Sequence, residues 1–337
     1  MTPLKTFVIQ NINGLQVKLT NYGAAIMEIL VPIPGEGLRD IVLGFAEPEE
    51  YQKEHPFFGA TIGRYANRIA HGRFILEGRS YQLDQNFGDH HLHGGSKGFD
   101  KQIWEVISYN KDAITLYHQS PDGFGGFPGN LNVEVTYRLT DDNHLIITYQ
   151  ANVDAHPTII NLTNHIYFNL NGAGQGKVLD HALQINADFI CPVDSGMIPQ
   201  EEFMSVSNTP FDFRSPLRFG DGIVGHHPQL QLAKGYDHNF IVNDYTGSLQ
   251  KIATVKSGDH SVTMKVHSTE PGVQLFVPSS MNILGKGRKQ YGDYSAFCLE
   301  TQHFPDSPNR PDYPSTVLYP NEEFRSQTIF KFAINEA

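Results

Sequence analysis

The 337-residue chain reads as one large all-β domain of antiparallel strands. Three observations carry that prediction. Apolar residues alternate with polar ones in several short runs, turn-forming residues punctuate the whole length, and long amphipathic helical patterns are hard to find. The composition agrees: 31 Gly and 20 Pro suit tight turns, and 39% hydrophobic residues suffice for a sizeable core. No charged or Ser/Gly-rich linker divides residues 1–337 and no convincing short repeat recurs, so a single domain is expected.

In chain order, Leu15-Gln16-Val17-Lys18-Leu19 alternates with period two, the pattern of a half-buried strand. Residues 133–139 and 145–149 repeat it on either side of the turn sequence Asp141-Asp142-Asn143, and together predict a hairpin. Residues 252–255 and 262–266 flank Ser257-Gly258-Asp259 and predict another. Ala296-Phe297-Cys298-Leu299 is a core strand, and the proline-rich stretch after it cannot continue a ladder, which leaves Glu300 where strand opens into loop. Residues 322–333, with β-branched and aromatic side chains, form the last strand. The glycine-rich run from Pro121 to Asn130 lacks the Gly-Lys-Ser/Thr ending of a phosphate-binding loop and reads as a long hairpin connection, with Phe124 and Phe127 available to border a cleft. Residues 171–176 read as a flexible surface turn.

A formal net charge of −11 would repel phosphate backbones and anionic lipid, so nucleic acid and membrane surfaces are excluded as partners and a neutral ligand fits better. Cys191 and Cys298 lie far apart in apolar surroundings, as expected of buried thiols in a reducing compartment. The stretch Met1–Phe7 has no apolar run of the signal-peptide kind and nothing approaches transmembrane length, so a cytoplasmic protein is expected. Of the 16 histidines, most are expected at the surface.

Several polar clusters stand out. An acidic side chain at the end of an apolar strand, Glu300, is rigidly held yet next to open loop. Asn161-Leu162-Thr163-Asn164-His165-Ile166-Tyr167 alternates, putting His165 on one strand face with Asn161, Thr163 and Tyr167; amides there would hold the ring in one tautomer, titrating near neutrality, as proton transfer requires. His91 and His93 would share a strand face, but a third ligand at suitable spacing is missing, so no metal centre is expected. His93, before two glycines, suits hydrogen bonding to a hydroxyl-rich ligand. Gly63-Arg64-Tyr65-Ala66-Asn67-Arg68-Ile69 offers two guanidinium forks, and Asp237 in Tyr236-Asp237-His238-Asn239 a carboxylate able to accept two hydroxyl hydrogen bonds.

In that order, the motifs resemble the galactose mutarotase family, the aldose 1-epimerases, over essentially the full length. The resemblance rests on Gly-Arg-x-Ala-Asn-Arg-Ile at Gly63 to Ile69, Leu-His-Gly-Gly at Leu92 to Gly95, and Asn-Leu-Thr-Asn-His-x-Tyr-Phe-Asn-Leu at Asn161 to Leu170. Asp-His-Asn at Asp237 to Asn239, Pro-Gly-Val-Gln at Pro271 to Gln274, and Leu-Glu-Thr-Gln-His-Phe-Pro-Asp at Leu299 to Asp306 complete the series. It implies a large antiparallel β-sandwich of the galactose mutarotase-like type, with a solvent-open carbohydrate cleft that needs no cofactor and takes a monosaccharide. It also implies roles: Glu300 as general base, His165 as general acid, and His93, Arg68, Asn67, Asp237 and Gln274 as residues that hold the sugar. One departure is Leu275-Phe276-Val277-Pro278-Ser279-Ser280-Met281 after Gln274, where many relatives carry Tyr-Thr-Gly-Asn. The expected reaction is exchange of α and β anomers of an aldohexose such as galactose or glucose. The competing readings are a non-catalytic sugar-binding or sugar-sensing protein of the same fold, a glycoside hydrolase using Glu300 with Asp237, and a metal-dependent enzyme built on His91 and His93.

Overall fold

The computed structural model describes residues 3–224 and 226–335; Met1 and Thr2 of the amino-terminal stretch lie outside the described residues. Strands form where the alternation is strongest. Leu131–Leu139 and His144–Val153 pair from Leu131 opposite Val153 to Leu139 opposite Leu145, closing over the predicted turn at 141–143. Val133, Val135, Tyr137 and Leu139 are buried while Arg138 faces outward, as a two-residue period demands. The second predicted hairpin is Gln250–Lys256 with Val262–Ser268, and the predicted last strand is Phe324–Ile334, which joins both hairpins by pairing with His144–Val153 on one side and Val262–Ser268 on the other.

These strands are the middle of a nine-stranded antiparallel sheet that begins at Glu105–Tyr109 and ends at Leu217–Arg218. A four-stranded meander contains Gln16–Thr20, and a five-stranded sheet runs in the spatial order Met204–Ser205, Phe189–Cys191, Asp237–Ile241, Gly272–Phe276, Cys298–Gln302. Val17 and Ile29 from the meander, Val135 and Tyr149 from the large sheet, and Phe240, Val273, Leu275 and Leu299 from the five-stranded sheet share one buried core. The architecture is a β-sandwich, sheets packed face to face around that core. Only the short α-helices Phe219–Ile223 and Pro228–Ala233 occur among the described residues, and no helix there is long and apolar enough to cross a membrane.

Three local expectations are corrected. The strand carrying Glu300 runs on to Gln302, because Gly272–Phe276 pairs with it over its whole length, from Phe276 opposite Cys298 to Gly272 opposite Gln302. Glu300 is therefore in mid-strand, and the chain leaves the ladder before Pro305. Residues 161–170 do not form one alternating strand either. Only Thr163–Asn164 is strand, paired with Thr61–Ile62, and every residue from 158 to 170 is buried. The turn at 171–176 is partly enclosed, with Ala173 packed in a secondary core.

Candidate active site

The five-stranded sheet positions half of the polar cluster. Its register sets Gln274 opposite both Asn239 and Glu300, and Phe276 opposite both Asp237 and Cys298. The intervening residues Phe240, Val273, Leu275 and Leu299 enter the core, so alternation turns Asp237, Gln274 and Glu300 to the other face together. Gln274 Nε2 donates to Asp237 Oδ1 at 2.7 Å, and Arg68 Nη2 donates to Asp237 Oδ2 at 3.2 Å. Both carboxylate oxygens of Asp237 are thus held in place.

The other half comes from a short pairing of Arg68–Ile69 with His91–Leu92. Asn67 precedes it with φ 65° and His93 follows it with φ 52°, so each turns its neighbour's direction. The two residues clasp: His93 N donates to Asn67 O at 3.0 Å, and Asn67 N donates to His93 Nδ1 at 3.1 Å. A backbone amide can only donate, so His93 Nδ1 is the acceptor and its proton sits on Nε2. His93 therefore presents an N–H to the site, as hydrogen bonding to a hydroxyl-rich ligand requires. Asn67 Oδ1 accepts from Arg68 N at 2.9 Å, fixing the start of the arginine.

His165 joins from the buried segment, its backbone anchored by His165 N to Ala60 O and Gly59 N to His165 O, both at 3.0 Å. Its Nε2 lies 3.6 Å from Glu300 Oε1, and its ring centroid 5.3 Å from that of His93. Glu300 is 2% exposed and His165 4%. Burial pushes the Glu300 carboxyl well above its ordinary range, the charge of Asp237 adding to the rise and Arg68 opposing it. Burial pushes His165 down to about 4 against the pull of Asp237. The expectation of a histidine titrating near neutrality is overturned by this desolvation. The two shifts run in opposite senses, the carboxyl holding its proton more tightly and the imidazole less, so burial favours the uncharged form of each. Among the described residues, Arg68 Nε, Gln274 Oε1, Glu300 Oε2 and His165 Nδ1 are buried without a hydrogen-bond partner.

His93, His165 and Glu300 have ligand atoms within 4.8 Å of one another, the spacing of a three-residue metal site. The tautomer argues against that use, because the His93 nitrogen free to reach a metal carries the proton. His91 is turned away by the left-handed His93 and bonded to Asp84 O at 2.8 Å, so the two histidines do not share a face. Asp237, the second carboxylate of the hydrolase reading, accepts one hydrogen bond on each oxygen, which holds it as an acceptor and leaves a further lone pair on each oxygen for a ligand hydroxyl. Of the two arginines, Arg64 is structural: its guanidinium donates to Pro128 O, Gly129 O, Thr158 Oγ1 and Ser120 O and Oγ at 2.6–3.0 Å, pinning the glycine-rich loop. Phe127 packs in a small core with Tyr65 and Ile69 rather than bordering a cleft. Histidines are less exposed than expected, only His71, His156, His226 and His260 lying fully at the surface. Sequence reasoning missed Phe57, whose ring contacts both His93 and His165. Nothing in its local pattern marks it. The departing segment after Gln274 touches the site through Phe276, edge-on to His165 at 6.2 Å.

Among solved structures, the fold is similar to that of a GalM/aldose epimerase homologue from C. elegans, with TM-score 0.91 and 27% identity over 99% of this chain and 100% of the other. It is also similar to a galactose 1-epimerase from Lactobacillus acidophilus NCFM, with TM-score 0.84 and 30% identity over 99% and 100%. The fold is thus that of the galactose mutarotase-like proteins. In sequence, residues 5–331 match the aldose 1-epimerase family. The aldose 1-epimerase of Escherichia coli (strain K12) is 40% identical over 98% of this chain and 95% of its own length, and the galactose mutarotase of Homo sapiens is 40% identical over 95% and 92%. The chain belongs to the aldose 1-epimerase family, and it is an enzyme of that class.

Proposed function

We propose that the protein interconverts the α and β anomers of free aldohexoses, D-galactose and D-glucose first, by opening and closing the sugar ring. The observation that carries the reading is the buried Glu300–His165 pair, with His165 Nε2 3.6 Å from Glu300 Oε1, beside the Arg68–Asp237–Gln274 network. Glu300 as carboxylate takes the proton of the C1 hydroxyl while His165 gives one to the ring oxygen, and the C1–O5 bond breaks to leave the open-chain aldehyde. Rotation about C1–C2 presents the other carbonyl face. Closure re-forms the C1–O5 bond with the two residues in exchanged roles, so no electron is transferred and no bond to the protein forms.

The pair carries one proton throughout, either on Glu300 or on His165, and the reactive distribution is the ion pair. That distribution is reached within the site, where Asp237 favours the imidazolium and Arg68 the carboxylate. Asp237, Gln274, Arg68, Asn67 and His93 hold the hydroxyls. The Nε2–H of His93 points the same way as an oxyanion donor and would steady charge on the opening ring. The partner in this reading is a neutral monosaccharide, the setting is cytoplasmic, and residues 1–337 act as a single domain.

The test is polarimetry of freshly dissolved α-D-galactose and α-D-glucose with wild type and Glu300→Gln. Wild type should accelerate mutarotation, and the variant should lose roughly 10²–10⁴-fold of that acceleration, as expected for removal of one positioned proton-transfer group. Sugar binding without acceleration by wild type would overturn the reading in favour of a non-catalytic binding protein.

A further inference from the structure

An imidazole that moves a proton is ordinarily held in one orientation by a hydrogen bond at its second ring nitrogen. For His165 no other residue supplies that bond: its Nδ1 is buried with nothing but its own backbone beside it. Aromatic rings surround it instead. Tyr167 stacks on the imidazole with centroids 4.9 Å apart and planes 11° apart, and Phe57 lies nearly parallel to it at 5.9 Å and 18°. Phe276 stands edge-on to both His165 and Tyr167. Offset-parallel and edge-on contacts of this kind are directional enough to restrict a ring's rotation.

Phe57 is the unusual member. It has φ 60°, a conformation that a bulky aromatic residue rarely adopts. The turn that holds it there is tightly bonded, with Phe57 N donating to His55 O at 2.9 Å and Ala60 N donating to Phe57 O at 3.1 Å. Gly59 and Ala60, which follow, make the two backbone hydrogen bonds to His165 itself. The loop is thus tied to the residue whose ring its side chain covers. The same phenyl ring meets His93 edge-on at 4.9 Å, so one side chain reaches both imidazoles. Phe57 also lines a neighbouring cleft of about 520 Å³ together with Tyr22, His55, Asn86 and Lys101. The Lys101 ammonium lies over the Phe57 ring, 5.9 Å from its centroid. Truncating Phe57 would therefore open the imidazoles to water from that cleft.

We propose that Phe57 is a positioning residue, which with Tyr167 clamps the His165 imidazole in the orientation that aims Nε2 at Glu300 and walls the pair off from the adjoining cleft. The proposal rests on His165 serving as the proton donor described above. The titratable groups around that ring are Glu300, Asp237, His93, His55 and Tyr167, with Lys101 beyond Phe57. Phe57 touches none of the reacting atoms in this scheme. It acts through the histidine.

The experiment compares full-length wild type, Phe57→Ala, Phe57→Leu and Phe57→Tyr by polarimetry across pH, with thermal unfolding to show that each is folded. Loss of positioning should lower kcat by roughly 10–100-fold in Phe57→Ala with KM little changed, the scale seen when a supporting group is removed. The acid limb of the profile should move up from about 4 toward 6.5 as water relieves the burial of His165. Phe57→Leu keeps the wall without the stack, so its acid limb should stay near that of wild type while kcat falls; Phe57→Tyr should recover most of the rate. A folded Phe57→Ala with wild-type kcat and acid limb would overturn the proposal, as would a rise in KM alone, which would make Phe57 a sugar contact. A ¹⁵N-imidazole titration of His165 in wild type and Phe57→Ala reads the same shift without turnover. An inactive wild type would thus refute the proposed reaction, whereas an unmoved His165 titration would refute the clamp.

Discussion

Lowering the pH from 7 to 4.5 should weaken the folded state through His165 by an amount that can be worked from its burial. The folded imidazole titrates at about 4 and the unfolded one at 6.5. Because the folded value is depressed, the unfolded chain takes up the proton first, so the contribution is fully present above 6.5 and is lost as pH falls through the window down to 4. A gap of that size corresponds to about 3 kcal/mol, most of which should disappear between pH 7 and 4.5. The buried His238 and the half-buried His55 and His118 are also pushed down to about 4 and add to the wild-type slope. Urea unfolding of wild type and His165→Gln at both pH values removes that background, and the variant should lose about 2–3 kcal/mol less than wild type on acidification. Glu300 acts in the opposite sense: its raised carboxyl favours folding at low pH, and that contribution fades as pH rises through its folded value. Parallel pH dependence in the two proteins would refute the reasoning, since it would mean that His165 takes up its proton equally in both states.

Anomer exchange should follow a bell, with an acid limb near 4 belonging to His165 and an alkaline limb above the ordinary carboxylate range belonging to Glu300; a rate that does not change with pH would contradict the buried acid–base pair. Asp237→Asn should raise KM by about 10-fold or more through loss of the anchor shared by Arg68 and Gln274, and should shift both limbs to lower pH, because the Asp237 charge raises both groups; an unchanged KM with unmoved limbs would contradict this. Arg64→Met should destabilise by about 3–5 kcal/mol in denaturant titration by leaving buried carbonyls of Ser120, Pro128 and Gly129 without their donor, with activity per folded molecule retained. Overnight dialysis against EDTA should leave turnover intact; a loss reversed by zinc would mean that His93 coordinates through the nitrogen assigned here as a donor.

Much of the scaffold was legible from alternation alone. The hairpin closing at 141–143 and the one closing at 257–259 needed only period-two patterning and local turn chemistry, both short-range properties. Failures came where long-range pairing overrides local pattern. The strand bearing Glu300 extends through Gln302 because Gly272–Phe276 offers it partners across the sheet, which no nearby residue announces. The segment 161–170 alternates in sequence yet is buried throughout, because it crosses the interior instead of lying on a two-faced sheet. The same limit applies to the arginines. Arg64 and Arg68 are four residues apart in one motif, and only the folded neighbourhood separates a loop anchor from a cleft residue.

By itself, the sequence determined an all-β chain and a set of polar residues in a recognisable order, since strand period, turn residues and motif spacing are written along one dimension. Tertiary structure alone decided that His93 is an N–H donor, because the amide fixing its tautomer belongs to Asn67, 26 residues away. It also decided that Glu300 and His165 are buried side by side, and that Phe57 reaches their neighbourhood. Protonation and orientation depend on burial and on the charges a group meets, and those are properties of three-dimensional packing that no local run of residues encodes.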